Sequence, residues 1–289
     1  MTSGRRAAAY SGGGLVGAGV GMAGLLAVQA RLARHLIGRV DGTPPPCDGL
    51  YRADLATASG PIRLGLIGDS SAAGLGVEHS SQTPGALLAA GIAEVTGRAV
   101  QLRSTAFVGA QSSELDGQLD ELLVDAFDLV VVMIGANDVT HRVLPAESAR
   151  LLEAAVLRLR TSGSRVVVGT CPDLGTIQPI PHPLRLLCRH WSRSLAGAQA
   201  QGVARAGGVA VHLGRVLGPE FMARRTELFA DDGFHPSATG YQAAVGVLLP
   251  DVLLGLGVDE VSAGRAGENL LREIARATDA DEDPVTASR

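Results

Sequence analysis

The sequence predicts an α/β protein in which helices cover both faces of a parallel, five-stranded sheet. Three observations carry this prediction. Short runs of valine, isoleucine and leucine recur without polar alternation, as strands buried on both faces require. Stretches with apolar residues at helical spacing separate them. Polar, glycine-containing loops follow the strands, where open parallel sheets place their ligand sites.

The first strand is 62–67, too short for a helical period, and it stops at Gly68-Asp69-Ser70. The second is 99–104. The clearest is 128–134, with Leu129 to Ile134 unbroken by any polar residue. The fourth, 165–170, is centred on Val166, Val167 and Val168, and the fifth is 209–213. Between them, 83–96 reads as a helix with Pro84 in its first turn. Residues 112–126 carry leucines at 115, 119, 122 and 123. Residues 145–160 repeat Leu151, Leu152, Ala155, Val156 and Leu159, and 184–205 is longer and dotted with arginine. The last helix of the domain, 236–254, is expected to start with Pro236 at its first position.

This α/β domain spans 61–258. Residues 41–60 read as a linker, with Thr43-Pro44-Pro45-Pro46 at its start. Residues 1–40 hold an uncharged run, Ala7 to Ala30, preceded by Arg5 and Arg6 and followed by Arg31. Its length suits a membrane anchor, and Val28 and Ala30 are small enough to precede a signal-peptide cut; its glycine content also suits a Gly/Ala-rich leader. Gly12-Gly13-Gly14-Leu15-Val16-Gly17 fits G-x-G-x-x-G, but no strand precedes it, so no dinucleotide site is expected. Residues 259–289 read as an acidic, disordered tail with a short amphipathic piece at 269–277. Asp279-Ala280-Asp281 starts like a calcium loop, but Pro284 stands where the loop needs glycine.

Composition excludes several activities. The net charge of −4 gives no electrostatic case for nucleic acid. The chain has no lysine, which removes a phosphate-loop lysine, a Schiff base and a Ser–Lys dyad. None of His79, His182, His190 and His212 has the spacing of a metal site, so neither metal nor cofactor is expected.

The chemistry lies at strand ends. Ser70 follows the first strand, Gly109 the second and Asn137 the third; Asp232 and His235 precede the last helix. In a parallel sheet these ends share one edge. A serine hydroxyl becomes a nucleophile when neutral histidine takes its proton, and the histidine needs an orienting carboxylate. Asp232 lies three residues before His235, so one turn can hold both. The backbone N–H groups of Ser70 and Gly109 and the Asn137 amide are candidate donors to an oxyanion.

The blocks Gly68-Asp69-Ser70, Gly109, Gly135-Ala136-Asn137-Asp138 and Asp232-Gly233-Phe234-His235-Pro236 together resemble the SGNH/GDSL hydrolase family, in family order. The resemblance implies a flavodoxin-like three-layer α/β/α sandwich and ester hydrolysis through an acyl-enzyme. It implies Ser70 as nucleophile, His235 as base, Asp232 as orienter, and Ser70, Gly109 and Asn137 as oxyanion hole. Ser71 stands where many members carry a bulkier residue. Similar sequences look actinobacterial, often with an N-terminal apolar segment. The expected substrate is a small-molecule, lipid or glycan ester with a short acyl chain, in a shallow site, since aromatics are only 3% of residues. A transferase using the same triad on an envelope sugar or lipid, or a non-catalytic envelope-binding module, are the alternatives. The protein is expected to be a monomer outside the cytoplasm, anchored or secreted, where Cys171 and Cys188 could pair and leave Cys47 free.

Overall fold

The computed structural model describes residues 21–33, 42–58 and 60–281. Most of the run Ala7 to Ala30, the glycine motif at 12–17 and the last residues from 282 lie outside them. The described part of α1 is 21–33. There follow β1 (Gly49–Tyr51), β2 (Ile62–Gly68), α2 (Ser70–Ala73), α3 (Pro84–Thr96), β3 (Val100–Ser104), α4 (Leu115–Leu122), β4 (Leu129–Met133), α5 (Ala136–Thr140) and α6 (Pro145–Thr161). The second half holds β5 (Arg165–Gly169), α7 (Leu184–Arg205), β6 (Val209–Val211), α8 (Leu213–Ala223), α9 (Arg225–Leu228), α10 (Ala238–Gly255) and α11 (Glu260–Asp281).

The sheet has six strands, in the order β1-β3-β2-β4-β5-β6. The five expected strands are its parallel part, in the doubly wound order. The sixth, β1, pairs antiparallel with β3 inside the segment read as linker. Three half-exposed residues leave no apolar run to read. Side-chain bonds hold the strand instead: Asp48 accepts from Ser104 N at 2.8 Å, and the Tyr51 hydroxyl donates to Cys47 O at 2.7 Å.

Both faces of the sheet are covered. On one, Leu64, Leu66 and Val131 pack with Ile92 of α3 and Val245, Leu248 and Val252 of α10. On the other, Ile67, Val130 and Val132 pack with Leu119 and Leu122 of α4 and Leu152, Val156 and Leu159 of α6. Alternate residues of one strand thus serve opposite layers, which explains the unbroken apolar runs.

Three expected boundaries shift for visible reasons. Residues 112–114 form a 3₁₀ turn ahead of α4, because Asp138 accepts from Ser112 N at 2.9 Å and turns the chain there. Pro236 bridges to Phe229 outside the helix, and α10 starts after Ser237, whose hydroxyl caps Gly240 N at 3.1 Å. The tail is helical over α11, where disorder was expected. Asp259 caps it by accepting from Ser262 N at 3.0 Å. Ala263, Gly267 and Leu271, spaced by four, face α10: a Cβ on Gly267 would meet the Gly246 carbonyl, and a Cβ on Gly246 would meet Leu271.

Among the described residues no helix is long and apolar enough to cross a membrane. Residues 21–33 dock on the domain. Gln29 donates to His182 O and accepts from Leu184 N, and Ala33 is buried with Val139, Leu174 and Ile180.

Candidate active site

In the strand order β3-β2-β4, successive connections leave β2 on opposite sides, which opens a crevice at the carboxyl ends of β2 and β4. Ser70 and Asn137 stand there. Gly68 ends β2 at φ 143°, and a Cβ at that position would collide with the Met133 carbonyl. Only glycine makes the turn that puts the next residues at the edge. The Gln118 side chain grips the Gly68 peptide, its Oε1 accepting from Gly68 N at 2.8 Å and its Nε2 donating to Gly68 O at 2.9 Å. Asp69 caps α2 by accepting from Ser71 N at 2.9 Å. Ser70 therefore begins α2, and its N–H belongs to a first turn that has no intrahelical acceptors.

The loop before α10 brings the other two residues. Asp232 Oδ1 accepts from both Phe234 N and His235 N at 2.9 Å. Its Oδ2 lies 2.6 Å from His235 Nδ1, and His235 Nε2 lies 3.0 Å from Ser70 Oγ. In neutral imidazole this chain puts the proton on Nδ1, facing the carboxylate, and leaves Nε2 to accept from the serine hydroxyl. Burial alone would raise the Asp232 carboxyl; the hydrogen bonds from the His235 ring and the two N–H groups outweigh it and hold it below the usual carboxylate range. Gly76 at φ 106° lets β2's follow-on loop approach Pro236, where a Cβ would meet the Pro236 carbonyl oxygen at 2.7 Å.

Gly109 and Asn137 come together through their neighbours. Phe107 N donates to Gly68 O at 3.3 Å, and Asn137 Nδ2 donates to Ala110 O at 3.0 Å. The turn 107–110 is thus strung between the end of β2 and the start of α5. Gly109 is exposed at φ 90°, and its N–H has no hydrogen-bond partner among the described residues. Asn137 spends one amide hydrogen on Ala110 O and keeps the other. All five residues expected from sequence lie at this edge.

Three supporting groups were not foreseen. Gln118 is one. Asp138, fully buried, is another: it accepts from Ser112 N at 2.9 Å, Ser112 Oγ at 2.5 Å and Ser148 Oγ at 2.6 Å, and so fixes α5 beside the Gly109 turn. Gln199 is the third. It accepts from Cys171 N at 2.8 Å and donates to Ile134 O at 3.2 Å. A glutamine among small and apolar residues was the available signal for Gln118 and Gln199, and Asp138 stood in the Gly135-Ala136-Asn137-Asp138 block.

Two expectations need correction. Cys47, Cys171 and Cys188 are all free thiols. Cys171 is fixed and buried at the end of β5, with Sγ toward Pro172 O at 3.5 Å, while Cys188 rides on α7. Burial raises both thiols above their ordinary value, and the charges of Asp69, Asp138 and Asp173 add to this at Cys171. The site is also less shallow than composition suggests, since an apolar cavity of about 100 Å³ lies beside Ser71.

A doubly wound sheet with a hydrogen-bonded Ser–His–Asp chain at its switch point defines a serine hydrolase. The chain belongs to the GDSL-like Lipase/Acylhydrolase family, whose sequence model matches residues 66–243. It is 42% identical over 242 residues to the GDSL-like esterase Rv1075c of Mycobacterium tuberculosis, covering 79% of this chain and 76% of the relative. It is a GDSL/SGNH-type hydrolase acting on ester bonds. The fold is shared with a lipase/acylhydrolase from Enterococcus faecalis at TM-score 0.53 and 19% identity, covering 69% of this chain and 98% of that one. An acetyl-xylooligosaccharide esterase variant from Geobacillus also shares it, at TM-score 0.52 and 18% identity, over 71% and 97% of the two chains.

Proposed function

We propose that Ser70 is the nucleophile, His235 the general base, Asp232 its orienting carboxylate, and Ser70 N, Gly109 N and Asn137 Nδ2 the oxyanion hole. The 3.0 Å contact between Ser70 Oγ and His235 Nε2, backed by Asp232, carries this reading. Ser70 Oγ attacks the ester carbonyl as its proton passes to Nε2. The carbonyl oxygen gains charge and is held by the N–H donors. Collapse expels the alcohol, which takes the proton from Nε2. Water, deprotonated by His235, then attacks the acyl-enzyme and frees the acid.

The substrates are short-chain acyl esters, of small molecules or of lipid or glycan, and the enzyme works at the cell envelope, held there through its N-terminal segment. The uncharged run Ala7 to Ala30 between arginines supports that location. The two bonds of Gln29 to 182–184 favour a segment that stays attached rather than one cut after Ala30. A fluorophosphonate probe with peptide mapping tests the chemistry: the adduct is expected on Ser70 and absent in His235→Ala, and a folded wild-type protein that takes none refutes the assignment. Fractionation of the native cell tests location, which fails if the protein is found only in the soluble cytoplasm.

A further inference from the structure

Three of the five phenylalanines, Phe221, Phe229 and Phe234, share the wall of the cavity beside Ser71, in a chain otherwise poor in aromatics. The wall also includes Leu217 of α8 and Met133 at the end of β4. Chain neighbours of three site residues line it, though those three residues and the Gly109 turn do not: Asp69 and Ser71 flank Ser70, Ala136 precedes Asn137, and Phe234 and Pro236 flank His235. A group attached to a carbonyl carbon held between Ser70 and Asn137 is therefore next to this space. Residue 71 is small and part of the wall. A bulkier side chain on the same short helix, one position round from Ser70, would fill it.

We propose that this cavity is the acyl pocket, taking an apolar chain of about four carbons, and that Ser71 sets the chain length accepted. This rests on the proposed acyl-enzyme at Ser70. The acyl group remains bonded to Ser70 while the alcohol departs, so a dead-end pocket suits the part that stays and an open face the part that leaves. Size follows from volume: an apolar cavity of about 150 Å³ admits the six carbons of benzene, so about 100 Å³ holds about four. Each methylene that enters an apolar pocket contributes roughly fourfold to kcat/KM, the equivalent of about 0.8 kcal/mol.

The test is a series of esters with one alcohol and linear acyl groups from acetyl to octanoyl, on the full chain. Wild-type kcat/KM is expected to rise about fourfold per carbon to butanoyl or pentanoyl and then fall. Ser71→Leu should fill the cavity and lower the butanoyl-to-acetyl ratio by at least about tenfold, two methylenes' worth. Leu217→Ala should enlarge it and move the maximum to hexanoyl or longer; it decides alone if Ser71→Leu fails to fold. A maximum on octanoyl in the wild type, or folded variants that keep the wild-type profile, overturns the pocket while leaving the hydrolase reading intact. A wild-type protein that turns over none of the esters and takes no fluorophosphonate overturns that reading, and the pocket with it.

Discussion

Asp69→Asn is expected to change how stability depends on pH. Asp69 is 2% exposed and sits between β2 and α2, its carboxyl accepting from Ser71 N. Burial pushes its pKa from 3.8 to about 6, against hydrogen bonds from Ser71 and the nearby His235, which lower it. An acid whose folded pKa is raised binds its proton more tightly when folded. Between pH 4 and 6 the folded chain holds that proton and the unfolded chain does not, so this group's contribution to stability falls as pH rises through that window. Below it the group contributes no penalty; above pH 6 the penalty is complete. The shift from 3.8 to about 6 corresponds to about 3 kcal/mol. Asparagine keeps the acceptor oxygen and removes the charge. The stability of Asp69→Asn minus that of wild type should therefore rise by most of this, about 2.5 kcal/mol, between pH 4 and 7, whatever its starting value. Urea unfolding of both proteins at unit pH steps measures this. Parallel stability curves would refute the buried-charge argument.

Asn137→Ala should lose roughly 10²–10³ in kcat, with the fold retained, as removal of one oxyanion donor does; a loss confined to KM would contradict that role. Ser148→Ala removes one of the three donors to Asp138, a buried carboxyl acceptor, at a cost of about 2 kcal/mol in urea unfolding. Because Asp138 anchors α5, kcat should fall as well, and an unchanged kcat would make the network purely structural. Native thiol alkylation at pH 8 should be slow at both Cys171 and Cys188, with Cys171 the slower, and reductant should change nothing; a bridge found by mass spectrometry would refute the free-thiol description.

The parallel sheet was legible because its signal is local. A strand buried on both faces has to be written as consecutive apolar residues, and Leu129 to Ile134 could be little else. The blocks of the candidate site were legible for a related reason: Gly68, Gly135 and the Asp232–His235 turn are short-range solutions to short-range problems, a sharp exit from a strand or two side chains on one loop. What escaped is what partners decide. β1 is a strand only because Asp48 and the free edge of β3 make it one. α11 reads as polar tail until α10 offers the space at Gly246 to Leu271. The Cys171–Cys188 pairing was inferred from position along the chain, which does not say where a sulfur points.

Gln118 and Gln199 show why the crevice keeps its shape. A switch point is a place where neighbouring strands part, so the last peptides of each lose their ladder partners. β3 pairs with β2 only as far as Ser104 against Leu66, which leaves the Gly68 peptide without a strand on that edge. From one carboxamide Gln118 supplies the missing acceptor for Gly68 N and a donor to Gly68 O beside Phe107 N, mimicking a strand peptide. β4 and β5 pair as far as Met133 against Gly169, and Gln199 does the same just beyond, bridging Ile134 O and Cys171 N. A buried peptide group left unpaired costs about 1–3 kcal/mol, so a bare opening would tend to close by pulling the strands together. The two glutamines remove that tendency. They let the sheet end in an open edge, where Ser70 and Asn137 stand, rather than in one more rung of the ladder.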